Sequence, residues 1–77
     1  MFKDLNEQLS DYIKLLRFKS KRSQEYVADK LGVSRNTYGI WENNPISLSL
    51  ENLIKIGNVF DDDILYFFKL YVAKSNI

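Results

Sequence analysis

The chain has 77 residues, 45% apolar and 27% charged, with no cysteine and no histidine. That is room for one small core, too apolar for disorder, and it excludes disulfides, zinc sites and imidazole-based catalysis. The net charge of +1 hides a division: Tyr12 to Arg35 holds seven bases (Lys14, Arg17, Lys19, Lys21, Arg22, Lys30, Arg35) against two acids, and the remainder four bases against eight acids. A basic stripe on a small domain is either the footprint of phosphate binding or a solvated face. With disulfides and metals excluded, a second subunit is the expected extra source of stability. The longest apolar run, Ile64 to Phe68, falls far short of the roughly 20 residues of a membrane span. Acids near the start do not resemble a secretory leader. The expected location is the cytoplasm, with no cofactor and no small-molecule ligand.

The apolar spacing is helical almost throughout. Leu5, Leu9, Tyr12, Ile13 and Leu16 step by four and three, which predicts a first helix from about Asp4 to Phe18. Ser23 is a good cap for a second helix with Val27, Ala28 and Leu31 on its inner side, and Gly32 ends it. Ser34 caps a third helix from Arg35 to about Glu42. Asn43-Asn44-Pro45 cannot continue it, and a loop follows to Ser49. Ser49 caps a fourth helix carrying Leu50, Leu53, Ile54, Ile56 and Phe60. Asp61-Asp62-Asp63 then stands before a fifth helix, within about 63–75, as negative charge at its N-terminus. A calcium loop is the other reading of the three acids, but its twelve-residue ligand pattern is absent. No stretch alternates long enough to be a strand, so the expectation is all-α, one compact five-helix unit over residues 1–77.

The segment Ser23 to Asn43 carries most information. Ser23-Gln24, Val27-Ala28, Leu31-Gly32-Val33-Ser34-Arg35 and Trp41-Glu42, followed by Pro45 and the Leu53…Ile56-Gly57…Phe60 spacing, resemble the helix-turn-helix family of phage Cro proteins and lambda-repressor-like regulators. The resemblance spans roughly Leu9 to Phe68. It implies a lambda-repressor-like DNA-binding domain whose helix-turn-helix lies at 23–43.

On a helical wheel the third helix divides in two. Thr37, Tyr38 and Trp41 fall inward, while Arg35, Asn36, Gly39 and Ile40 fall on the outward arc. That arc has the form of a major-groove reader. Arg35 can donate two hydrogen bonds to guanine and Asn36 can pair with adenine, each worth about 1–3 kcal/mol of discrimination. Ile40 can meet a thymine methyl, and Gly39 permits close approach. Gln24, Ser34 and Thr37 are placed for phosphates, the role that the resemblance also implies for them. Lys19, Lys21 and Arg22 add ionic contacts, and Asn43 and Asn44 can clamp the backbone with their amides. Each has a plainer alternative: Arg35 as a solvated side chain, Asn36 in a local backbone bond, Gly39 as a tolerated residue. Tyr38 and Trp41 read as core rather than base-stacking groups, and Glu42 as the partner of a backbone group or Arg rather than of cytosine.

The last helix is apolar nearly all round, more than one small domain can enclose. One face is expected to close the core. The other is expected to form a two-fold dimer contact, with Leu65, Phe67, Phe68, Tyr71 and Val72 as candidates. Two reader helices would then meet successive major grooves of a palindromic operator on double-stranded DNA, about 34 Å apart. The expected function is a sequence-specific transcriptional regulator binding DNA as a homodimer, an activator or a repressor and not an enzyme. Within the family, the chain is similar to restriction–modification controller proteins and to Cro-like phage repressors. The other class is an interaction module, such as an antitoxin whose partner covers the last helix.

Overall fold

The computed structural model describes residues 4–75; residues 1–3 and 76–77, the ends of the expected unit, lie outside the described residues. Five helices follow in order: α1 (Leu5–Lys19), α2 (Gln24–Leu31), α3 (Arg35–Asn43), α4 (Leu50–Val59) and α5 (Ile64–Ser75). A single 3-10 turn, Pro45–Ser47, sits where only a loop was expected, and no strand occurs among the described residues. The fold is all-α, as expected.

Local chemistry sets the helix starts. The side chains of Asp4, Ser23, Ser34 and Ser49 accept hydrogen bonds from the backbone N–H of Glu7, Tyr26, Thr37 and Asn52, at 2.8, 3.0, 3.0 and 3.1 Å. Each satisfies an amide that the first helical turn leaves without a partner. Asp4 is thus a cap rather than the first helical residue.

Three of the helices end in the same reversal. Arg22 N–H donates to Arg17 O, Val33 to Ala28 O and Asp62 to Gly57 O, at 3.1, 3.0 and 3.0 Å. In each the residue before the donor is left-handed: Lys21 (φ 57°), Gly32 (φ 74°) and Asp61 (φ 54°). This is the six-to-one closure of a Schellman turn, and only one of the three uses the expected glycine.

Every helix contributes to one core. Leu9 and Ile13 of α1, Val27 and Ala28 of α2, Tyr38 of α3, Leu53 and Ile56 of α4, and Ile64 of α5 are buried together. Trp41, Phe67 and Phe68 pack against this cluster from its edge. One stripe of α1, stepping Asn6, Ser10, Ile13 and Arg17, faces the end of α3 and the 3-10 turn. Asn6 accepts from Ile46 N–H at 3.0 Å, and Ser10 Oγ donates to Glu42 O at 2.6 Å. The helix that carries the outward arc is therefore held at its C-terminal end by α1.

Candidate nucleic-acid interface

α3 divides as its wheel predicts. Tyr38 is fully buried, and Trp41 is half-buried against the core. On the far side Arg35 and Asn36 are exposed, and Ile40 is 60% exposed. Thr37 is half-buried, with its hydroxyl accepting from Ser34 Oγ at 2.9 Å. A helix anchored by one large aromatic and steadied by another presents its polar arc in a fixed direction.

The anchor continues into a buried ionic group. Glu42 is 0% exposed, and its carboxylate accepts four hydrogen bonds. Arg17 donates from Nε at 2.8 Å and from Nη2 at 3.1 Å, Tyr38 from its hydroxyl at 2.7 Å, and Gln24 from Nε2 at 3.1 Å. Burial alone would raise the Glu42 pKa, but these bonds outweigh it and hold the carboxyl below its ordinary range. The same bonds raise the Arg17 pKa; burial and the carboxylate together raise that of Tyr38. One carboxylate thereby ties α1, α2 and α3 together. It also settles Glu42 as the partner of an arginine, and it withdraws Arg17 from the basic surface.

Gln24 is bound to this group by its amide nitrogen while its side chain lies over Gly39. A Cβ built on Gly39 would stand 3.9 Å from Gln24 Oε1. The expected phosphate ligand at the start of α2 is thus held against α3 by Glu42. Along α1, α2, α3 and their links Lys19, Lys21, Arg22, Lys30 and Arg35 are all exposed. The Arg22 guanidinium lies 4.3 Å from the centre of the Tyr26 ring, with Lys30 Nζ at 5.3 Å on the same ring. Cations spread on an aromatic platform are partly ordered while remaining open to solvent. Ser34 is exposed at the mouth of α3, its Oγ engaged in the cap. Asn43 and Asn44 are exposed at the other end, their backbone carbonyls accepting from Asn6 and Ser47.

Arg17 and Glu42 are the positioning pair that sequence reading did not assign to the site. The signal was present in the stripe of α1, since Arg17 stands in register with Asn6, Ser10 and the buried Ile13.

α5 lies apart from this surface. Phe67 and Phe68, two of the candidate dimer residues, turn onto the chain's own core, edge to face with centroids 5.6 Å apart. Tyr71 is half-buried. Leu65 and Val72 are 43% and 58% exposed, and Tyr66 and Leu70, which the expectation omitted, are 55% and 45% exposed. Among the described residues no helix is long and apolar enough to cross a membrane.

α2 and α3, joined by a short turn with α3 propped by the buried Tyr38 and the half-buried Trp41, have the arrangement of a helix-turn-helix. The family model described as helix-turn-helix matches residues 13–67. The chain belongs to that family, in its Cro/C1-type form, and is a DNA-binding transcriptional regulator. No curated protein and no solved structure matches it.

Proposed function

We propose that this regulator binds an inverted-repeat operator on duplex DNA as a homodimer, with α3 of each copy in the major groove. Arg35 and Asn36 read base edges, Ile40 meets a thymine methyl, and Gly39 lets the helix approach closely. Gln24, Ser34, Thr37, Lys21, Arg22, Asn43 and Asn44 hold the phosphates on either side, which position the helix without choosing sequence. The exposed apolar residues of α5 associate two copies, so that two weak half-site interactions act as one.

The observation that carries this reading is the division of α3. Tyr38 is fully buried while Arg35, Asn36 and Ile40 stand free on the opposite arc. Selecting bound sites from random duplex DNA tests it. The expected product is a palindrome whose half-sites are centred about 10–10.5 base pairs apart. Enrichment of a lone, unrepeated half-site would contradict the homodimer, and no enrichment would contradict sequence reading altogether. The aromatic α5 fits a restriction–modification controller and a Cro-like phage repressor alike; a methyltransferase or endonuclease gene beside this one favours the former.

A further inference from the structure

The stripe of α1 facing α3 supports the reader; the opposite flank of α1 makes a second long-range link. Tyr12 donates its hydroxyl to the Asp62 carboxylate, 2.8 Å from each oxygen and 50 residues away in sequence. Its ring packs on Phe67, centroid to centroid 5.1 Å. Burial, with Asp62 and Asp63 adding to it, pushes the Tyr12 pKa up to about 12, so the hydroxyl remains a donor.

Asp62 lies in the joint between α4 and α5, and that joint accepts little variation. The left-handed Asp61 sits at its apex. A Cβ on Gly57 would fall 2.8 Å from Asp62 O and 3.0 Å from Ile64 Cβ, so the link lies directly on α4. Asp63 accepts from Leu65 N–H at 3.2 Å as α5 begins. Leverage gives the joint its importance. The 12 residues of α5 span about 18 Å. A swing of about 10° at the joint therefore moves the far end by about 3 Å, close to the rise of one base pair.

We propose that the Tyr12–Asp62 link sets the half-site spacing: it fixes the angle between α5 and α1, and so the separation of the two reader helices in a dimer. Tyr12 and Asp62 are positioning residues in this scheme and touch no DNA. The proposal rests on the homodimer reading above.

Tyr12→Phe and Asp62→Ala remove the link while leaving the Tyr12 ring packing in place. Both variants should stay dimeric and bind a duplex carrying one half-site as wild type does. On full sites whose spacer is lengthened or shortened by one base pair, wild type should lose about tenfold or more in affinity. The two variants should lose less than about threefold, because a loosened joint lets both heads engage at several spacings. Asp62→Asn keeps an acceptor for Tyr12 and should restore the selectivity. Either of two results overturns the proposal: spacing selectivity unchanged in both link-breaking variants, or an equal loss on half-site and full site. A wild-type protein that is monomeric and indifferent to spacing would instead overturn the homodimer reading on which it rests.

Discussion

Gly39 is costly to keep in a helix interior, by roughly 0.5–1 kcal/mol relative to alanine. The folded chain does not require it: an added Cβ would meet the Gln24 side chain at 3.9 Å, an ordinary contact. Something outside the chain accounts for its presence if it has a role. Gly39→Ala is therefore expected to raise the unfolding free energy by about 0.5–1 kcal/mol and to weaken DNA binding. Stabilisation in urea with undiminished affinity would remove Gly39 from the interface. Lys21 presents the reverse case, a side chain in a left-handed position (φ 57°) that favours glycine. Lys21→Gly should stabilise the fold by about 0.5–1 kcal/mol and lower the salt slope of DNA binding by about one. An unchanged slope would place Lys21 off the phosphates.

Three helices meet at the Glu42 carboxylate, whose depressed pKa ties their packing to pH. A carboxyl whose folded pKa lies below its unfolded value adds stability above the ordinary carboxylate range. That stability is lost as pH falls through the depressed value. Glu42→Gln leaves Arg17 without a full partner, and breaking such a buried pair costs about 3 kcal/mol or more, out of a total on the order of 5–10 kcal/mol. The variant should be less stable at neutral pH and should approach wild type in acid. Parallel stability curves from neutral to acid pH would refute this role.

Much of this architecture was legible in advance. Ser23, Ser34 and Ser49 mark helix starts because their hydroxyls replace a missing backbone partner, and Gly32 marks an end because it has no Cβ. Lys21 and Asp61 close the same kind of turn but carry no such mark, since it is the backbone reversal (Arg22 N–H to Arg17 O, Asp62 N–H to Gly57 O) and not their exposed side chains that takes the left-handed conformation. The two arcs of α3 followed from periodicity. Arg17 did not, because composition counts it among the surface bases until its place on the inner stripe of α1 is noticed. Nor does periodicity say which side of an almost wholly apolar helix the chain itself covers. Phe67 and Phe68 turned inward, leaving Tyr66 and Leu70 in the open.

At the scale of the molecule, the described residues measure 40 × 23 × 23 Å, with the basic block on α1, α2 and α3 and, on α5, the exposed apolar group Leu65, Tyr66, Leu70 and Val72. The two surfaces lie on different elements, so the proposed association and the proposed base reading can be tested separately by mutation. The double variant Leu65→Glu and Val72→Glu places charge on residues that are 43% and 58% exposed, so its helical spectrum should be retained while its mass in sedimentation falls to that of one chain. An unchanged dimer would move the contact to another face. Such a monomer should still bind a single half-site weakly.

The central claim, that Arg35 on a propped helix reads a base, is tested most directly by titrating wild type and Arg35→Ala against the selected operator and a panel of its single-base variants. The account predicts that the substitution costs about 1–3 kcal/mol on the operator and removes the preference at one base pair per half-site, leaving the others intact. The same loss on every sequence in the panel would contradict it and reduce Arg35 to a phosphate contact.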